Sequence, residues 1–134
     1  MGARVRRDGW EHDLHEVIEG ARQRPFSWGS HDCATWAARV RQALTGASLP
    51  GFVGTYRTAR GAALAIRRAG AVDLCDAVTR EIGVPLASPA LARRGDIVSD
   101  GAALGVCLGA TAAFLGPDGL VFRPMSDCTM AWEV

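Results

Sequence analysis

The sequence predicts an α+β fold in which N-terminal helices pack on one face of a C-terminal antiparallel sheet. From residue 10 to residue 83, apolar residues recur every three or four positions, which is the period of an amphipathic helix. From residue 95 to residue 134, short apolar runs alternate with glycine-containing turns, as they do in β-hairpins. Helices that are followed by strands, without alternation, indicate helices packed against an antiparallel sheet.

Four helices are expected in the first half of the chain, each of them ending at or near a glycine. They cover residues 10–20, 34–44, 59–69 and 73–82. In the second helix, Trp36, Ala37, Val40 and Leu44 share one face, and this face should therefore lie in the core.

Five short strands are expected in the second half, at residues 95–98, 104–108, 111–115, 120–123 and 129–134. Turns at Asp100-Gly101 and at residues 116–119 would join them into an antiparallel meander. Asp96 should cap or turn the chain after Gly95.

Composition limits the class of protein. The 134 residues, 49% of them hydrophobic, predict a single domain over residues 1–134 with a helical half at about 10–83 and a sheet half at about 95–134. No run of 18 apolar residues is present, so membrane insertion is not expected. Residues 1–7 are basic but are followed by Asp8, Glu11 and Asp13, which argues against a signal peptide. The net charge of +1, with interleaved signs, argues against a nucleic-acid partner.

No cofactor or metal is expected. The four cysteines are too widely spread to form the close ligand pairs of a structural zinc site. A chain of this size, with an adequate core and no export signal, is not expected to need a disulfide framework. The four are Cys33, Cys75, Cys107 and Cys128. His12, Asp13 and His15 lie close together in the sequence, but no further ligand from a distant segment joins them, so they are a weak candidate for a metal site.

The strongest indication of chemistry lies at residues 28–36. Cys33 stands where a Gly/Ser segment gives way to the second helix, and Asp32 or Ser30 can cap that helix. In the first turn, the partial positive charge of the helix N-terminus favours thiolate over thiol. Cysteine peptidases place their nucleophile in this way. The alternative is that Cys33 is a small buried apolar residue at the start of an amphipathic helix.

Three histidines could assist such a thiol. His31, two residues before Cys33, could raise the local positive charge, or it could be a loop residue bonded to a backbone carbonyl. His12 and His15 share one face of the first helix. They could approach Cys33 if that helix crosses it, and otherwise they are solvated. The candidate catalytic residues are thus Cys33, with His31 and Asp32 beside it.

The chain resembles the NlpC-type cell-wall peptidases, small papain-like cysteine hydrolases of bacteria and phage tails. The resemblance lies in the Asp32-Cys33 helix start, in residues 92–98 (Ala-Arg-Arg-Gly-Asp-Ile-Val) and in residues 105–109 (Gly-Val-Cys-Leu-Gly). The family patterns are Asp-Cys-Ser-Gly for the nucleophile, Ala-x-x-Gly-Asp-(Leu/Ile)-Val at the start of the sheet, and His-Val-Gly-Ile-Tyr-Leu-Gly for the strand with the general base. The resemblance implies a papain-like α+β domain.

A closer resemblance, from about residue 14 onward, is to an uncharacterised subfamily. Its genes lie among the late tail genes of phages, prophages and gene-transfer agents. The matching segments are residues 24–29, 31–33, 56–61 and 113–120. This resemblance implies a virion protein of the tail tip that is made in the cytoplasm of the bacterial host. Its partners would be tail hub, distal tail or fibre proteins.

The chain departs from the active family at the general base. Alignment with the family strand puts Ala103 at the base position, and no histidine follows His31 in the sequence. Without an imidazole, a papain-like enzyme loses most of its rate. Two hypotheses follow: a structural tail-tip component with degraded or atypical catalysis, and an active cysteine endopeptidase or amidase that cleaves the peptide stems of peptidoglycan. Ala103 favours the first, whereas the Asp32-Cys33 helix start favours the second.

Overall fold

In a computed structural model, the chain forms four helices followed by a five-stranded antiparallel sheet, and the structure describes residues 5–134. The helices are α1 (Trp10–Ala21), α2 (Cys33–Thr45), α3 (Ala59–Arg68) and α4 (Leu74–Ile82). The strands are β1 (Ile97–Ser99), β2 (Leu104–Cys107), β3 (Thr111–Gly116), β4 (Gly119–Pro124) and β5 (Met130–Trp132). This confirms the α+β class, with element ends within two residues of those predicted. Residues 1–4, which belong to the predicted domain and to its basic start, lie outside the described part.

Local capping sets the helix boundaries. Asp32, Thr58 and Asp73 each precede a helix, and each side chain accepts a hydrogen bond from the backbone N–H three residues further on. Such a bond satisfies one of the free N–H groups at a helix start. The helix α2 ends at Gly46, whose φ of 76° lies in the left-handed region that glycine adopts without strain.

The sheet has the strand order β4-β3-β2-β1-β5. The first four strands form the predicted meander, and the last strand returns to pair with β1. As a result, β1 is an interior strand, and its Ile97 stands opposite Val106 of β2 on one side and Trp132 of β5 on the other.

The helices cover one face of the sheet. Trp36 and Val40 of α2 are fully buried there against Val106 and Trp132, and the Trp36 indole N–H donates to the carbonyl of Ala113 at 3.1 Å. The face of α2 that was expected to be apolar is therefore the one that lies in the core.

The other face of the sheet has a smaller cover made of loops. Val98, Cys107 and Phe114 are buried on this side. Over them lies the segment before β1, held by a hydrogen bond of 2.8 Å from the Leu86 N–H to the Ala131 carbonyl. Both faces are therefore shielded from water, which explains why β1 and β2 are buried at every position.

Within residues 5–134, no helix combines the length and the apolar character that a membrane span requires.

Candidate functional site

Asp32 fixes the start of α2. Its Oδ1 accepts the N–H of Thr35 at 3.0 Å, and the Thr35 hydroxyl oxygen accepts the N–H of Asp32 at 2.8 Å. This reciprocal pair is a capping box. Of the two residues that the sequence offered as the cap, Asp32 is therefore the one that serves, and Cys33 is the first residue of the helix.

Asp32 also joins two other segments to the helix start. Its Oδ2 accepts the N–H of Gly29 at 2.8 Å, and its Oδ1 accepts the hydroxyl of Tyr56 at 3.1 Å. The side chains packed around it leave only 1% of Asp32 exposed. Gly29 has a φ of 84°, and a Cβ at this position would collide with the carbonyl oxygen of Tyr56. The chain around residue 29 can therefore lie against residue 56 only because residue 29 is a glycine.

Tyr56 is a site residue that sequence reasoning did not single out. Burial raises the pKa of the Tyr56 hydroxyl strongly, and the neighbouring charge of Asp32 adds to the effect. The phenol thus remains a neutral hydrogen-bond donor to the carboxylate. The only sequence signal was its place in the segment 56–61, to which no role was attached.

Burial affects the pKa of the Cys33 thiol more than the helix N-terminus does. Burial is the largest influence and raises the pKa of the Cys33 thiol, and the charge of Asp32 raises it further. Backbone groups of Leu104, Cys33 and Ala34 act in the opposite direction but do not outweigh burial. Of the two alternatives for Cys33, these features favour a small buried residue over an activated thiolate: the field of the helix end is present, but the desolvation of the thiolate is the larger effect.

The thiol lies beside the first residue of β2. Its strand neighbour is Leu104, one residue after the position where the resemblance expects the base. Ala103 itself is in the turn before β2, where its N–H donates to Asp100 Oδ1 at 2.8 Å. Its methyl group packs with the cluster on the sheet face away from the helices, whereas Cys33 packs with the helix-side cluster.

His31 is a buried histidine whose surroundings favour the neutral imidazole. It is 1% exposed, and its Nδ1 lies 3.3 Å from Nη1 of Arg39. Because a guanidinium can only donate, Nδ1 accepts and the proton of the neutral ring is on Nε2. Nε2 is buried and has no hydrogen-bond partner among residues 5–134. Burial lowers the pKa of His31, and the positive charges of Arg24 and Arg39 lower it further.

The hydrogen bonds of the thiol do not include a histidine. In the described part of the chain, no histidine hydrogen-bonds Cys33, and besides burial the charged groups that shift the pKa of His31 are Arg24, Arg39 and Asp32. His12 and His15 are exposed on α1, and the His12 side chain is 75% exposed. Across residues 5–134, no three His, Cys, Asp or Glu side chains are grouped in a way that could hold a metal ion.

The burial of His31 predicts a stability that depends on pH. The unfolded chain binds a proton near pH 6.5, whereas the folded state resists it because its His31 pKa is lower. This contribution to the free energy of unfolding is therefore complete above about pH 6.5 and is lost as the pH falls toward the folded pKa, with a slope of at most about 1.4 kcal/mol per pH unit. Urea unfolding of the wild type at a series of pH values measures it.

His31→Gln is the matched control for this prediction, since its amide oxygen can still accept from Arg39 while nothing at the position titrates. His12 and His15 are present in both proteins, so any contribution from them cancels in the difference between the two stability curves. A difference that stays flat between about pH 5 and 7 would contradict the burial of a neutral His31.

Fold and site together define an α+β domain with a thiol at a capped helix start and, among residues 5–134, no histidine hydrogen-bonded to that thiol. A family model described as "Domain of unknown function (DUF6950)" matches residues 5–134, and the chain therefore belongs to this family. Neither the curated proteins nor the solved structures include a match.

Proposed function

We propose that this protein is a tail-tip component of a phage or phage-like particle. It is built on the papain-like scaffold of NlpC-type cell-wall peptidases, and its catalysis is degraded. The tail assignment is supported by the likeness of residues 24–29, 56–61 and 113–120 to the subfamily encoded among tail genes. The papain-like scaffold is supported by a thiol at the start of a helix that packs against β2.

One observation supports the loss of catalysis most directly. Burial raises the pKa of the Cys33 thiol, whereas a cysteine hydrolase requires a nucleophile whose pKa is lowered. Papain-like hydrolysis also requires an imidazole that takes the thiol proton and returns it to the leaving amine. Ala103 can do neither. With both requirements missing, the barrier rises by several kcal/mol, which is on the order of a thousandfold in rate.

The surroundings of Cys33 still have a structural use. The Asp32 side chain holds three segments together through hydrogen bonds: the start of α2, the turn at Gly29 and the loop at Tyr56. This unit presents Trp28, which is 38% exposed and stacks edge-to-face on Phe26 at 4.9 Å. A fold that no longer hydrolyses can thus keep a rigid surface for docking in a tail.

Purified particles test the tail assignment. We expect this protein to co-sediment with tailed particles from the producing bacterium, at a fixed ratio to the major tail protein, and to be missing from tail-less heads. Cys33→Ala should leave both its incorporation and the infectivity or gene transfer of the particles unchanged, because catalysis is not required. Recovery of the protein only in the soluble fraction of the lysate would end this proposal.

The second candidate is an active cysteine endopeptidase or amidase that acts on peptidoglycan peptide stems. The observation that favours it is the position of Cys33, whose own backbone N–H and that of Ala34 lie near the thiol at the helix N-terminus. Free N–H groups at this place can hold an oxyanion. In this hypothesis the base comes from a partner chain in the assembled particle, so that Cys33→Ala particles would assemble but fail to penetrate the cell wall.

A further inference from the structure

The helix α3 and the segment before it form a strongly basic surface. Residues 51–72 contain no Asp or Glu and four exposed arginines: Arg57, Arg60, Arg67 and Arg68. None of the four makes an ion pair within residues 5–134, whereas on and beside α4 the arginines are paired, Arg41 with Glu81 and Arg80 with Asp76, both at 3.1 Å. The chain as a whole carries a net charge of only +1, so this surface is a local concentration of charge.

Helix stability does not account for these charges. Arg67 and Arg68, in the last turn, favour the helix because that end carries partial negative charge. Arg60 lies in the first turn, where a cation is unfavourable, and no acidic residue occurs there to compensate it. The charge at the N-terminal end of α3 therefore costs stability and calls for another explanation.

An exposed leucine lies among these arginines. Leu64 is 46% exposed, whereas Ala62 is the one residue of α3 that is buried. Arg60, Leu64 and Arg68 are four residues apart along the helix, so they share one face. Beside this face is an open groove between α3 and the preceding loop, which is lined by Phe52, Tyr56, Leu64, Ala65 and Arg68 among others.

We propose that this groove and the α3 face bind an acidic, amphipathic segment of another protein. Its apolar side chains would pack on Leu64 and Phe52, and its carboxylates would pair with Arg57, Arg60, Arg67 and Arg68. Arg60 and Arg68 flank the exposed Leu64 on one face of α3, and Arg57 and Arg67 add charge in the same segment, which is complementary to a segment that carries acidic and apolar residues on one face. That the segment belongs to a neighbouring tail protein rests on the proposed function, whereas the chemistry of the surface does not.

Two other classes of partner fit the surface less well. Nucleic acid would bind the arginines through its phosphates, but phosphates do not pack against an apolar side chain, so the exposed Leu64 would have no partner. A membrane surface requires a broad apolar face of large side chains, and apart from Leu64 and Ile66 the apolar residues of α3 are alanines. A protein segment uses both parts of the surface.

Binding of a synthetic peptide tests the proposal. The probe is a fluorescein-labelled peptide with the repeat Leu-Glu-Ala-Glu, which places leucine at every fourth position, and its binding is followed by anisotropy. We expect Arg60→Glu/Arg67→Glu to weaken the affinity at least about tenfold, because two attractive pairs become repulsive. Leu64→Ala should weaken it several-fold, and replacing leucine by alanine in the peptide should have the same effect. Arg60→Glu places an acid in the first turn of α3, where it stabilises the helix, and Arg67→Glu places one in the last turn, where it destabilises the helix, so the two effects offset each other and the double variant should fold about as well as the wild type.

The matched control is Arg7→Glu/Arg94→Glu. It changes the net charge by the same amount at two exposed arginines outside the surface, and it should leave the affinity within about twofold at physiological salt. Equal loss in the control, or no binding of the peptide by the wild type, would overturn the proposal. So would tighter binding of a DNA duplex or of phosphatidylglycerol vesicles than of the peptide.

The two proposals fail in different ways. If the peptide binds as expected but the protein is missing from particles, the tail function is wrong and the surface is right. If Arg60→Glu/Arg67→Glu is incorporated into particles as well as the wild type and the peptide does not bind, the surface is wrong and the tail function is right.

Discussion

Replacing Asp96 with alanine is expected to lower the free energy of unfolding by about 3–5 kcal/mol. Asp96 is buried, and its Oδ1 accepts from Nη2 of Arg6 at 2.8 Å and from the N–H of Val134 at 3.0 Å. Its Oδ2 accepts the N–H of Arg93 at 2.8 Å, so the residue does turn the chain before β1, as its place after Gly95 suggested.

The large loss of stability arises because the substitution leaves the buried Arg6 without its counter-ion. The Arg6 side chain is 9% exposed and would remain buried without its counter-ion, held only by the carbonyls of Arg94 and Val134 at 2.7 and 2.8 Å and by the ring of Trp10 at 4.3 Å. Two backbone N–H groups would also lose their acceptor. Removing one partner of a buried ion pair costs much more than the pair contributes as a whole.

Glu133→Ala is the control for this prediction. Glu133 forms an ion pair of 3.8 Å with Arg93 near the same end of the sheet, but both side chains are more than half exposed. We expect a change of less than about 1 kcal/mol. Urea denaturation of both variants gives the comparison, and equal losses would mean that the Asp96 pair contributes no more than a surface pair.

The helices and strands could be predicted because their signals are local. The caps Asp32, Thr58 and Asp73 stand immediately before their helices, and Gly46 stands immediately after one. Such signals depend on residues three or four positions apart, and propensity and capping decide them with little help from the rest of the chain.

The pairings that organise the site are not local. The last strand pairs with the first, and Arg6 meets Asp96 across 90 positions of the chain. Tyr56 meets Asp32 across 24 positions. No periodicity or motif specifies these contacts, because they arise when elements fold together.

The state of the Cys33 thiol depends on burial, which explains why the sequence alone left both alternatives for this residue open. Sequence placed Cys33 correctly at the helix start, and there the helix end alone would lower the pKa of its thiol. The structure adds the burial that raises this pKa and the burial that keeps His31 neutral. Position in a helix can be inferred from neighbours in sequence, whereas desolvation depends on the whole fold.

For the Cys33 thiol, we expect the rate of alkylation by iodoacetamide to rise about a hundredfold from pH 6 to pH 8 and to continue rising above pH 8. The thiolate is the species that reacts, so below the pKa the rate increases about tenfold per pH unit. An activated thiolate would instead be ionised throughout this range and would react at a nearly constant rate. Mass spectrometry of the peptides that contain each cysteine follows the four thiols separately in the folded wild-type protein.

The shape of the pH profile is the decisive quantity, because access of the reagent to a half-buried thiol changes the absolute rate but not the slope. Cys33 in the urea-unfolded protein serves as the reference, because its surroundings are then removed. A flat profile for Cys33 in the folded protein beside a rising profile in the unfolded protein would show an activated nucleophile and would favour the hydrolase. If the flat profile occurs only in assembled particles, a partner chain supplies the base. If the profile rises in both states, the thiol is a structural part of the scaffold, and the cysteine at this helix start serves its fit between α2 and β2 rather than a reaction.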